Sequence, residues 1–509
     1  MPTPPCGPVH FGRRATGLYP RRVPSLLLRS ARLVPLSPGD PPADAPSDVL
    51  IEDGWVTAVG AGLSRPEGVP EHDAGGRWMM PGLWDQHVHL GQWAQASRRL
   101  DTSAITSPEQ AIALVHKHVS AAPGVPVVGW GHRPAKWPRL GTASELDAVS
   151  GVTPVILVAG DGHHAWINSA AQAALGLTPR EGVVAEDEWY AAYRLLDTLA
   201  PVTTADYRAT LEAAAALGVV GLVDFEFVAD LDGWRERWTA GCDLLRARVA
   251  VYAEGLEPAI SERLRTGTPL VPGDDRLLMG PLKIISDGSL NTRTAWCHQP
   301  YAQDPMPGSP AGAPNISGDE LTALLARAHA NGLEVATHAI GDAAIEQALT
   351  AYELTRARGS IEHVQLIATP DVRRMAGLAL RASVQPHHLV DDRDLIDVAW
   401  PGRGERAYAF RSLLDAGVPL VLGSDAPVSP LDPWTAISAA VRRSGDGRAA
   451  WHPEQALTRQ EALAASVDLQ PMVRTGSRGD VVLLDDDPLT AERPGVALTV
   501  LAGRVTHTA

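Results

Sequence analysis

Short apolar runs that stop on a polar or turn-forming residue alternate with helix-length stretches through the middle of the chain, and this rhythm restricts the fold more than any other feature. One cycle shows it. Ser317 to Glu320 reads as a capping box, Leu321, Leu324, Leu325 and Ala328 recur at helical spacing, Gly332 stops the helix, and Leu333 to Thr337 is a short strand ending at His338. The next cycle ends at His363. Arg406 to Ala416 is a further helix closed by Gly417, and the strand Pro419 to Leu422 then runs into Gly423-Ser424-Asp425. Counted by their last residues, the candidate strands end at His89, Asp224, Tyr252, Ser286, His338, His363, Pro386 and Asp425. Eight parallel units close a (β/α)8 TIM barrel. The count requires residues from about 92 to 205, with the strand-like VPVVGWG and PVILVAGD, to form an insertion after barrel strand one, expected over the active face.

Both termini carry small β units. Asp48 to Gly60 alternates around Asp53-Gly54, a strong hairpin signal, and Asp480 to Leu484 and Leu498 to Val505 show similar alternation, the latter turning at Ala502-Gly503. The expected layout is a β-sandwich from residues 26–79 and 470–509, with the barrel over 80–469. Residues 1–25, rich in proline and arginine, are expected to be a disordered extension or sequence ahead of the true start, with a transit peptide as the further alternative. The formal charge of −15 argues against nucleic acid as a partner, and no apolar run reaches the roughly 20 residues of a membrane helix. Cys6, Cys242 and Cys297 are odd in number and lack CxxC spacing, which fits a reducing cytoplasm.

Two features point to chemistry. His87-Val88-His89 closes strand one, where side chains two apart share a face and can share a metal. His116-Lys117-His118 has the same spacing but lies in a helical pattern, which sends its imidazoles apart, so it reads as a solvated helix face. His338, His363, Lys283 and Asp425 also fall at strand ends, where barrel loops gather catalytic groups. Imidazoles with a carboxylate suit zinc or a similar divalent cation. Only three of the 44 basic side chains are lysines, Lys117, Lys136 and Lys283. Retained lysine can serve where an amine must lose its proton, although chance retention applies equally to all three.

MPGLWDQHVHL (80–90) resembles the PGxxDxHxH opening of the amidohydrolase superfamily. KIISDGSLNTRTA (283–295), EVATHAIGD, IEHVQL, SVQPHHL and GSDAPVSPLDP resemble its amidohydrolase-3 branch, which includes N-substituted formamide deformylases. The resemblance runs from about residue 48 to the C-terminus. It implies a metal-dependent hydrolase of non-peptide carbon–nitrogen bonds (amide, N-acyl or N-formyl amine) with one or two divalent metals, zinc being expected, and a carboxylated Lys283. By it, His87, His89, Lys283 and Asp425 hold one metal and Lys283, His338 and His363 the other, with Asp425 as proton shuttle. An unmodified Lys283 paired with Asp425 or Asp287 is the alternative. A mononuclear deaminase of an amino-substituted ring, or a catalytically silent binding protein, are the competing functions.

On the substrate side, Arg293 is expected to grip a carboxylate or carbonyl, or else to anchor its own loop. Asp287 follows the lysine strand, and Asn291 stands where the family commonly has glycine, as the next best residue at positive φ. His163, with His164, resembles a substrate-side motif, a structural hydrogen-bond role being the alternative. Trp93, Trp130, Trp137 and Trp166 would wall an apolar substituent or form the insertion's core. His387 and His388 adjoin the metal ring without being ligands in the family pattern. The stretch SVDLQPMVRTGSRGDVVLLDDDP is shorter than the family's usual connection and leaves the C-terminal junction open. The partner expected is a small-molecule substrate, with no membrane and with a homo-oligomer left open.

Overall fold

The computed structural model describes residues 24–509 apart from 38, 41–44, 133, 135–136, 160–163, 194, 200, 228–229, 304, 306 and 446. The expected extension, save for residues 24 and 25, and the candidate His163 lie outside the described residues.

Eight parallel strands form the barrel: Leu83–Val88, Val219–Asp224, Arg246–Val251, Asp274–Ile285, Val335–Ala339, Gly359–His363, Arg381–Val384 and Leu420–Leu422, hydrogen-bonded in that order. An isolated parallel bridge between Val88 and Ala426 closes the ring, with the Asp425 amide donating to the His87 carbonyl at 2.7 Å and the His89 amide to the Ala426 carbonyl at 2.9 Å. Both faces of these strands are covered, and all six residues of Leu83–Val88, the polar ones included, are buried. The covering helices use the predicted signals. Gly318–Ala330 starts at the Ser317–Glu320 capping box and buries Leu321, Leu325 and Ala328, while Gly332 follows it at φ +77°. Each buried leucine stabilises this layer by about 1.5–3 kcal/mol, and Leu325→Ala would cost about 2–5 kcal/mol through the cavity it leaves.

A second sheet follows the path Arg504–Thr508, Val496–Leu501, Val481–Leu484, Trp78–Pro81, Leu26–Leu33, Ser47–Glu52, Trp55–Gly60, so both termini build it. Asp53 and Gly54 turn its N-terminal hairpin at φ +51° and +81°, the two left-handed positions a tight hairpin needs. Leu28, Val49, Ile51, Met79, Val481, Leu483 and Val500 form its own core. The short C-terminal connection is pinned to the barrel by Asp468, which takes both Arg248 nitrogens at 2.7 Å, Arg478 at 2.7 Å and the Gln86 amide at 3.0 Å.

The insertion holds a five-stranded sheet over Leu100–Asp101, Val127–His132, Val155–Ala159, His164–Ile167 and Val184–Ala185. Its tryptophans are structural. Trp166 donates to the Thr142 carbonyl and Trp137 to that of Ile105, and Trp130 and Trp137 pack against the insertion's apolar clusters. His116, Lys117 and His118 lie exposed on the helix Pro108–Ala121, the solvated face expected. Among the described residues no helix is long and apolar enough to cross a membrane.

Candidate metal centre

The barrel's first and last strands bring the site together. Asp85, buried in strand one, accepts the backbone amides of His87 at 3.1 Å and Ser424 at 2.9 Å, tying strand one to the turn after strand eight. Burial pushes its carboxyl up to about 6, against the pull of Ser424 and the His87 amide. Gly423 is required there, since a Cβ would lie 2.7 Å from the His87 nitrogen. Asp425 follows at φ +56°, and at the end of strand six His363 and Val364 sit at φ +71° and +47°. Left-handed backbone at non-glycine residues costs about 1–3 kcal/mol each and persists where surrounding structure imposes it, commonly at functional sites.

Ligand atoms of His87, His89 and Asp425 lie within 4.8 Å of one another, as do those of His363, His388 and Asp425. The Nε2 atoms of His87 and His89 stand 3.5 and 3.4 Å from Asp425 Oδ1. Two ligands bound tetrahedrally to zinc at its ordinary bond lengths are about 3.4 Å apart, so this donor set fits such a cation. Chemistry fits as well. His87 Nδ1 meets Glu362 Oε2 at 2.8 Å, and both side chains are buried, which leaves the Nε2 lone pair facing the cluster. Burial, then the neighbouring Lys283, holds His87 far below the usual imidazole value, and burial with His338 does the same for His363; both are the neutral ligating form. His388 Nε2 is buried without a hydrogen-bond partner and stands 3.9 Å from Asp425 Oδ2.

Lys283 rises from strand four into the same space, its Nζ 3.3 Å from His87 Nε2 and 4.1 Å from the Phe225 ring centroid. Burial lowers its pKa to about 8, although Glu362 and Asp425 oppose the change. His338 borders His363 with ring centroids 4.5 Å apart, but its Nε2 approaches the Gly288 carbonyl at 3.2 Å and Asp287 at 3.4 Å. The second His–carboxylate grouping therefore contains His388 where the family pattern has His338.

The centre floors a cleft of about 540 Å³. Of the substrate-side residues named from sequence, Asp287 and Asn291 line it among the described residues, and Asp287 is occupied: its carboxylate accepts the amides of Ile340, Gly341 and Trp296 at 2.9–3.0 Å, shaping the loops after strands four and five. Arg293 does not face the cleft; its guanidinium donates to the carbonyls of Leu290, Asn291 and Gln303, which anchors its own loop. The left-handed residue of that loop is Arg293, at φ +60°, and not Asn291. Trp93 packs against the barrel's main core, and its neighbour Gln92 reaches the cleft instead. No described lining residue comes from between 93 and 226, and residues 133, 135–136, 160–163, 194 and 200 of the insertion lie outside the described residues. Sequence reasoning missed Glu362, Phe227 and Asp391 and set His388 aside. Glu362 did leave a signal, a carboxylate directly before the candidate ligand His363 at the end of a barrel strand.

Comparison with known proteins agrees with this fold. A metal-dependent hydrolase of Pyrococcus furiosus, itself uncharacterised, superposes with a TM-score of 0.75 at 26% identity, covering 92% of this chain and 100% of its own. YtcJ of Bacillus subtilis (strain 168), a provisionally assigned amidohydrolase, is 28% identical over 437 residues, covering 79% of this chain and 81% of its own. The N-substituted formamide deformylase of Arthrobacter pascens is 24% identical over 507 residues, 87% and 90% of the two chains. The sequence profile of the amidohydrolase family matches residues 71–507, and with the barrel and its His–Asp cluster in view, the chain belongs to that family of hydrolases.

Proposed function

We propose that the protein cleaves non-peptide carbon–nitrogen bonds, those of amides and N-acyl or N-formyl amines, at the centre built by His87, His89 and Asp425, and that it works in the cytoplasm. The convergence of these three ligand atoms at the C-terminal mouth of the barrel carries the reading. One or two divalent cations, zinc by donor type, would be held by His87, His89 and Asp425 and by Lys283, His363 and His338 or His388. Such a cation supplies a water ionisable near neutral pH and polarises a carbonyl.

The chain's own groups do the rest. Asp425 directs Oδ1 to the His87 and His89 nitrogens and Oδ2 to His388, so one oxygen can stay with the ligand cluster while the other handles a proton. Burial pushes Asp425 upward, but His89, His388 and Lys283 outweigh it and hold the carboxyl below its usual value, ready to accept a proton at neutral pH. It then returns that proton to the departing nitrogen, which leaves as a neutral amine. Glu362 keeps His87 in one tautomer throughout. Similarity to the formamide deformylase supports the choice of bond.

Lys283 decides the metal count. A buried amine near its neutral form can take up carbon dioxide and become a two-oxygen ligand, whereas the Phe225 ring 4.1 Å away favours the ammonium and thus the one-metal deaminase reading. Metal content per chain and turnover across N-formyl, N-acyl and cyclic amides test both. Lys283→Ala is expected to release most metal, with partial rescue by small carboxylic acids; unchanged content excludes the carbamate. Deamination of an amino-substituted ring by a one-metal enzyme, with no amide hydrolysed, would replace the proposal.

A further inference from the structure

The walls of the cleft differ sharply in chemistry. On one side the Phe227 ring stacks on His89, with centroids 4.7 Å apart, and 54% of Phe227 is exposed. Tyr252 continues that wall, 5.9 Å from Phe227, with its hydroxyl turned away to the Phe225 carbonyl. Val428, whose amide donates to the Asp425 carbonyl, is 66% exposed and also lines the cleft. Two open apolar side chains thus adjoin two members of the metal cluster. Apolar surface left open at that position is covered when a substrate group lies on it.

Charge sorts the other way. Among the described lining residues the only lysine or arginine is Lys283, buried at the base, and Arg293 is turned to its loop carbonyls. Asp391 lines the cleft, exposed, with no hydrogen bond or ion pair to its carboxylate among the described residues. A substrate anion away from the metals would therefore meet a free carboxylate and no guanidinium or ammonium.

We infer that this cleft selects neutral or cationic amides carrying an apolar, ring-sized substituent that covers Phe227 and Val428, and rejects amides whose substituent is anionic. The inference rests on the amide-hydrolysis reading, and its test separates the two. Formanilide, its para-trimethylammonium and para-sulfonate derivatives, and the truncated N-methylformamide are offered to the metal-loaded protein; sulfonate is chosen because it competes poorly for a metal. Turnover is measured with binding by calorimetry beside it. The neutral and cationic anilides are expected to exceed the sulfonate by about tenfold or more in both kcat/KM and affinity. Phe227→Ala should lower the kcat/KM ratio of formanilide to N-methylformamide about tenfold, Phe227→Leu less, and Asp391→Arg should narrow the gap to the sulfonate. Equal handling of sulfonate and cation, or an unmoved ratio in Phe227→Ala, overturns the inference. Should none of the amides be hydrolysed, the functional reading fails, and the binding order alone then decides this one.

Discussion

Replacing Glu362 by glutamine tests the centre where it is most tightly built. The His87–Glu362 contact is 2.8 Å long between side chains that are each 1% exposed, so water cannot substitute for either partner. Glutamine keeps the length and an oxygen able to accept the Nδ1 proton, so the change removes charge and little else. A hydrogen bond to a charged acceptor contributes about 1.5–3 kcal/mol and a neutral one about 0.5–1.5 kcal/mol. The difference of about 1–1.5 kcal/mol corresponds to roughly tenfold weaker metal binding, the lower end of what outer partners of ligating histidines contribute. Without metal the sign reverses. Burial raises the Glu362 pKa because its charge is poorly solvated, so a neutral amide relieves that cost and the apo-protein should melt at an equal or higher temperature. Competition against a chromophoric chelator at pH 7 reads the affinity, and calorimetry of chelator-treated protein reads the stability. Affinity unchanged within about twofold, together with a less stable apo-protein, would refute the argument and reduce Glu362 to a packing residue.

Other outcomes follow from the same geometry. Asp425→Asn should retain at least one metal per chain yet lose turnover; a normal rate would exclude the proton-transfer role. Gly423→Ala forces a methyl against the His87 backbone and should cost about 1–3 kcal/mol and weaken metal binding, both read on one preparation by melting and metal analysis. Asp468 is held at about 2, because Arg248 and Arg478 outweigh its burial. Its folded pKa lies below the unfolded one, so it stabilises the fold by about 2 kcal/mol above pH 4, and this is lost as pH falls through 2. Asp468→Asn should therefore differ from the parent in denaturant unfolding at pH 7 and approach it near pH 2; an equal gap at both would contradict the assignment.

The strand ends were readable from sequence where an apolar run such as Val219–Asp224 or Leu420–Leu422 is cut off by a residue that meets solvent or a ligand at the barrel mouth. Hairpins at Asp53-Gly54 and Ala502-Gly503 and the Ser317 capping box were readable because backbone conformation there is set within four residues. Orientation was not. Arg293 has the chemistry of a substrate clamp, and only the fold of its loop turns the guanidinium toward its own carbonyls. Trp93 sits one residue from Gln92, which does reach the cleft, and a rotation of about 100° per helical residue separates the two outcomes. His388 depends on how the helix His388–Ala399 begins after strand seven, a tertiary fact absent from the motif. The tryptophans of the insertion satisfy their own small core, a use indistinguishable in sequence from an aromatic wall.

The two backbone bonds that complete the cylinder run between His87 and Asp425 and between His89 and Ala426, beside the side chains that would hold an ion. An ion there would act as a rivet across the joint between the first and last staves, beside the Asp85 carboxylate that already ties Ser424 to strand one. Stripping it should loosen that joint first, so the amide protons of Asp425 and His89 should exchange faster while those of the strand Val335–Ala339 stay slow. With an ion bound there, the reagent and the hoop would be one part.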